Sequence, residues 1–152
     1  LAAGVPLPSV LTKCRTYLWH TPKMTRRLLE AGLDPNLPNW QWVTPLHNIA
    51  ETNPMWDRKG SSSKDYRREK ANRERLIDLF LEFGADPNAL DEEYSSSPLG
   101  WAARRGSLDS VQLLLDRGAD PNAGESWARP LAWAERRGNK DIARALRKGG
   151  AL

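Results

Sequence analysis

Few residues in this chain have the type and spacing for chemistry. It holds two histidines and one cysteine. Cys14 and His20 fall about one and a half helical turns apart, but no orienting group or oxyanion donor accompanies them, so a nucleophile pair is not supported. His47 stands three residues after Thr44 in Thr44-Pro45-Leu46-His47, which suits bonding within a helix cap better than ligation or base work. Cys-x-x-Cys, His-Glu-x-x-His and glycine-rich phosphate loops are all missing. Asp91-Glu92-Glu93 is an acidic run without the further oxygen ligands that calcium needs. The expectation is a non-enzyme with no cofactor and no metal. What remains is recognition chemistry. Arg104-Arg105 and Arg136-Arg137 recur 32 residues apart, and the chain has seven tryptophans. Paired guanidiniums suit planar anions, and Arg and Trp are common interface anchors.

The net charge of +4 is local. Residues 57–75 carry eight basic and four acidic side chains, and the rest of the chain carries fifteen of each. No stretch approaches the length of apolar sequence that spans a bilayer. The first residues, Leu1-Ala2-Ala3-Gly4-Val5-Pro6, lack the basic region and the apolar run of a signal peptide. A lone cysteine suits a reducing compartment, so a cytoplasmic monomer is expected. The start at Leu1 and the ending Gly149-Gly150-Ala151-Leu152 prompt another expectation, that the chain is part of a longer protein.

The elements that must position these residues are marked by a repeated phrase. Leu28-Leu29-Glu30-Ala31-Gly32-Leu33-Asp34-Pro35-Asn36 returns at 80–88 and again at 114–122, and a stub closes the chain at 146–152. Each copy reads as a last helical turn, a glycine free to take positive φ, and a turn that proline keeps from continuing as helix. Helices are expected at 9–20 and 23–31, then from Pro45 to about Thr52. Further helices start after Ser97-Pro98 and Arg129-Pro130, where proline suits the first helical position. Gly106-Ser107 and Gly138-Asn139 each read as a turn and an N-cap. The second helix of each pair carries apolar residues at helical spacing: Leu76-Ile77 with Phe80-Leu81, Val111 with Leu114-Leu115, and Ile142 with Leu146.

Gly84 to Gly118 is 34 residues and Pro98 to Pro130 is 32. The period, with Thr44-Pro45-Leu46-His47 as helix opener, resembles the ankyrin repeat. The resemblance covers nearly all of the chain. It departs at Ile49, which replaces a small alanine, at Gly100 and Ala132, which replace the histidine, and in the proline of Asp-Pro-Asn. It implies an all-α solenoid of stacked helix-turn-helix pairs with short β-turn or hairpin fingers. One domain over 1–152 then holds four units: 5–37 as N-terminal cap, 38–89, 90–123, and 124–152 as C-terminal cap. Pro45 to Pro98 spans 53 residues, which places an insertion at 53–73. The second helix of that unit is expected to extend N-terminally by about three turns, supported by Glu69/Arg73 and Lys70/Glu74 pairs.

The resemblance also implies a concave binding face made of finger tips and first-helix ends. By register the fingers offer Trp40, Gln41 and Val43, then Glu92, Glu93 and Ser96, then Glu125, Ser126 and Ala128. The helix ends offer Trp19, then Glu51 and Thr52, then Arg104 and Arg105, then Arg136 and Arg137. The Arg pairs are expected to stack into a four-guanidinium strip, or to pair with Glu92, Glu93 and Glu125 in a solvated network. Trp42 and Trp127, at the finger-turn glycine register, are expected to pack between units, and Trp101 and Trp133 to pack in or beside the first-helix layer. The leading functional expectation is a protein-interaction module anchored by Trp40 and the Arg strip. The alternatives are anion or nucleic-acid binding through the basic helix 57–75, and the ankyrin part of a longer enzyme or effector.

Overall fold

The structure, a computed structural model, describes residues 21–38, 41–51 and 63–152, with the backbone alone for 63–66. The expected helix at 9–20, Trp19, Trp40, Thr52 and about half of the expected insertion at 53–73 lie outside the described residues. Seven helices occupy the rest: α1 Pro22–Glu30, α2 Pro45–Glu51, α3 Ser63–Glu82, α4 Pro98–Arg105, α5 Leu108–Asp116, α6 Pro130–Arg136 and α7 Lys140–Lys148. No strand forms among the described residues; a single antiparallel bridge joins Ser96 to Gly124.

The helix starts follow their local chemistry. Pro98 occupies the first turn of α4, where its missing N–H costs nothing, and Ser97 Oγ accepts from the Gly100 amide at 3.3 Å. Ser107 caps α5 in the same way, accepting from Ser110 N at 3.4 Å. Arg129 precedes Pro130 without a side-chain cap. Asn139 precedes α7 but makes no cap bond. Its amide instead lies against Gly106, 3.1 Å from where a β-carbon would sit.

Each copy of the repeated phrase ends its helix through a glycine in the left-handed region, at φ +92°, +89° and +83° for Gly32, Gly84 and Gly118. The turn that follows is closed by an Asp side chain, with Asn36, Asn88 and Asn122 donating their amides to Asp34, Asp86 and Asp120 at 2.8–2.9 Å. The asparagine side chains then point to the next copy. Asn36 donates to Gly84 O and accepts from Asp86 N, and Asn88 accepts from Asp120 N. Asn122 donates to Gly150 O and accepts from Leu152 N. The phrase is thus both a helix stop and a joint between neighbours.

Helices α2, α4 and α6 pack side by side, and each is backed by its own partner, α3, α5 or α7. The row of α2, α4 and α6 closes tightly because alanines stand at the contacts; Ala50, Ala102, Ala103 and Ala134 are fully buried. Ile49 joins this core rather than disturbing it. Phe80, Ile77, Leu46, Leu99, Val111, Leu114 and Leu146 fill the space between the rows. Outer neighbours are laced by ion pairs, Arg26 to Glu82 and Arg117 to Asp78, each through two nitrogens.

Helix α3 has 20 residues where α5 and α7 have nine, an excess of about three turns. Part of this extra length is tied to α5. Lys70 Nζ pairs with Asp109 at 3.0 Å, and buried Arg73 donates to the hydroxyls of Ser107 and Ser110 at 3.1 and 3.0 Å. The cations counted in the sequence as a basic patch are therefore partly internal.

Candidate partner-binding surface

The loops before α2, α4 and α6, with the exposed ends of those helices, form one surface, and a buried polar seam holds them in line. His47 Nε2 donates to the Ser96 carbonyl at 3.0 Å, while Nδ1 accepts from the Thr44 amide at 3.1 Å. Thr44 Oγ1 lies 2.9 Å from the same nitrogen. Burial holds the His47 pKa below the ordinary histidine value, which keeps the ring neutral and able to accept. One unit on, no histidine is present, and Ser96 takes over its task. Ser96 Oγ donates to Ala128 O at 2.9 Å and accepts from Trp133 Nε1 at 3.1 Å. Gly100, at the histidine register, makes this possible: a β-carbon there would lie 2.1 Å from Ser96 Oγ.

Asp91 anchors the middle loop. Its carboxylate is buried and accepts from Tyr94 N, Ser96 N and Trp101 Nε1 at 2.8, 3.0 and 3.0 Å. The acidic run is therefore split, with Asp91 structural and Glu92 and Glu93 exposed. Loop tips touch their neighbours through the backbone. Glu92 N donates to Gln41 O at 3.1 Å, and Glu125 N donates to Ser95 O at 3.4 Å. Gln41 Nε2 also reaches Glu93 at 3.2 Å.

The four arginines do not stack into a guanidinium strip. Arg104 lies between two rings, its guanidinium carbon 4.2 Å from the centre of Tyr94 and 5.3 Å from Trp133. Arg136 covers Trp133 at 4.1 Å. Like charges in adjacent units are thus separated by aromatic faces, which attract each cation. Nor do the arginines pair with Glu92, Glu93 or Glu125. Arg105 Nε contacts Glu51 at 2.5 Å, with Arg104 Nη1 at 3.9 Å from the same oxygen. Arg136 donates to the carbonyls of Ala132 and Trp127. Arg137 is exposed.

Other expected contact residues are redistributed. Val43, Ser96 and Ala128 are buried, because the residue before each helix opener turns inward. Trp101 and Trp133 are buried as expected. Trp42 and Trp127, expected to pack between units, are 60% and 49% exposed. Trp127 meets Trp133 only edge-on, with centroids 6.4 Å apart. Tyr94 and Asp91 were missed as parts of this surface, while Glu51 stands at the helix end where register placed it. For Tyr94 the available signal was its place at the loop's inward turn, ten residues before Arg104.

Among the described residues no group of three or more His, Cys, Asp or Glu side chains could hold a metal, and no helix is long and apolar enough to cross a membrane. Against known proteins, a family model describing ankyrin repeats in three copies matches residues 69–151. The palmitoyltransferase Hip14 of Drosophila melanogaster is 38% identical over 96 residues, covering 63% of this chain and 12% of that protein. Palmitoyltransferase ZDHHC13 of Mus musculus is 33% identical over 96 residues, with the same coverage. Palmitoyltransferase ZDHHC17 of Homo sapiens is 33% identical over 97 residues, 64% of this chain and 12% of that protein. The matched stretch is a small part of each of these relatives. With helix pairs, joints and openers in place and more than half of its length matched, the chain belongs to the ankyrin-repeat family.

Proposed function

We propose that the chain is a non-catalytic protein-interaction module, a solenoid of four ankyrin repeats with turn fingers and an insertion at 53–73, which binds a protein partner on its concave face. The observation that carries this reading is the open side of the aromatic and cationic stack. Tyr94, Arg104, Trp133 and Arg136 alternate across two units, and Arg136 lies exposed at its end. Rigid, pre-stacked arginine and tryptophan side chains lose little entropy on binding and suit interface anchors. Gln41, Glu92, Glu93, Arg105, Glu125 and Arg137 form its surroundings, and Trp19 and Trp40 belong to the same face by register. The module acts as a cytoplasmic monomer, in keeping with its lone cysteine. Affinity capture from native lysate tests this, with the wild type beside a variant carrying Arg105→Ser, Arg136→Ser and Arg137→Ser. A partner lost on the variant is expected; an identical set of captured proteins would refute the assignment.

A second reading is favoured by the relatives. Their names are those of palmitoyltransferases, and the match occupies 12% of their length, so the module is also proposed as the ankyrin part of a longer enzyme. The length of the complete reading frame tests that. Nucleic-acid binding through 57–75 has less support, since Lys70 and Arg73 are turned toward α5. A steep loss of RNA or DNA binding with added salt would revive it.

A further inference from the structure

Trp42 has the backbone of a glycine. Its φ is +58°, a region bulky L-residues rarely enter, and it is 60% exposed. Among the described residues no side-chain hydrogen bond or ring contact rewards this arrangement, and the indole is largely in water. Ser95, at the same register one unit on, has φ +47°. Trp127 holds that register in the following unit and is half exposed. The bonds from Glu92 N to Gln41 O and from Glu125 N to Ser95 O join the three loop tips into one edge. A tryptophan therefore stands at each end of a continuous edge, with a small serine between them.

Charge along this edge is sorted. Among the described residues Arg136 bonds only carbonyl oxygens and the Trp133 ring, and Arg105 and Arg104 share the carboxylate of Glu51. The helix ends are thus short of negative charge. The tips carry Glu92, Glu93 and Glu125, all exposed. These acids would repel a continuous polyphosphate chain but leave room for one or two isolated carboxylates placed over the arginines.

We infer that Trp42 and Trp127 are twin apolar anchors for an extended, carboxylate-bearing segment of a protein partner, laid along the loop tips with its acid over Arg136 and Arg137. This rests on the proposed role of the same face in protein binding. Two helix spacings separate the anchors by about 16–20 Å, which an extended chain covers in about five or six residues. The segment therefore carries two large apolar side chains at that spacing and an Asp or Glu beside or between them.

A phage-displayed library of random dodecapeptides panned on the wild-type protein tests this, with the enriched sequence then synthesised. The expected result is a consensus of two large apolar residues five or six positions apart with an acid. The synthetic peptide should lose affinity about tenfold or more on Trp42→Gly, on Trp127→Ser and on the Arg136→Gln, Arg137→Gln double variant. Trp42→Gly is informative because glycine relaxes the backbone, so its thermal midpoint should not fall while binding does. No enriched peptide, a consensus without acids, affinity kept within about twofold on either tryptophan variant, or tighter binding of a dodecamer of uridine would each overturn the inference. If the lysate partner is lost on the arginine variant but kept on both tryptophan variants, the protein-binding reading stands and this one fails.

Discussion

A β-carbon on Gly100 would sit 2.1 Å from Ser96 Oγ, so these two residues are chosen together. Gly100→Ala should force the serine off its bonds to Ala128 and Trp133 and cost about 1–3 kcal/mol. Urea unfolding of Gly100→Ala, Ser96→Ala and the double variant checks the coupling. The double variant should be more stable than the sum of the two single losses predicts; strict additivity would show that the two sites do not interact.

His47 gives a pH dependence whose sign follows from its burial. Its native pKa lies below the ordinary value because desolvation disfavours the charged ring. The unfolded chain therefore binds the proton first as pH falls. Stability contributed by the neutral ring is complete above about pH 6.5 and is lost progressively below it, toward the lower native pKa. Unfolding free energies measured from pH 7.5 to 5 should show this fall, and His47→Gln, less stable at neutral pH, should lack that part of the slope.

Asn36 makes two bonds to the following copy of the phrase, to Gly84 O and from Asp86 N. Asn36→Ala should cost about 1–2 kcal/mol. Hydrogen exchange should show faster exchange at the Asp86 amide, with the Asn36 amide, held by Asp34, still protected. Equal loss at both amides would mean that the turn itself had collapsed.

Trp42→Gly should raise stability by about 0.5–1 kcal/mol, since the left-handed region penalises a side chain and glycine's greater freedom when unfolded offsets only part of the gain. Trp127, whose φ is not positive, should gain nothing from the same change. Parallel denaturation of the two variants distinguishes strain at one loop from a general effect of removing tryptophan.

The helix starts and the turns that close each phrase were legible in the sequence because each depends on residues close together in the chain. The asparagine joints reach residues about 30–50 positions away and were not. Pro45, Pro98 and Pro130 open helices, and each Asp-Pro-Asn closes its own turn. The long helix was legible too, since no glycine or proline interrupts Lys64 to Glu82. The arginine surface was not. Stacking Arg104 between Tyr94 and Trp133 needs a ring from the next unit, and register gives the rows but not which side chain fills the gap between them. The exchange of His47's task for Ser96 was hidden for the same reason. A glycine at the histidine register read as a loss, whereas it is the space that a neighbouring hydroxyl occupies.

The asparagine joint has two halves of different kinds, a side chain and a stretch of main chain. One partner is always an Asn side chain, and the other is always main chain, a glycine carbonyl that accepts, an amide that donates, or both. Main chain is the same whatever residue supplies it, and the amide held by Asn122 belongs to Leu152 where the earlier copies have Asp. A coupling of this kind is blind to its neighbour's side chains. Units joined by it are free to be reordered, duplicated or resurfaced without renegotiating the contact, so binding residues on the loops are able to change while the joint stays in register.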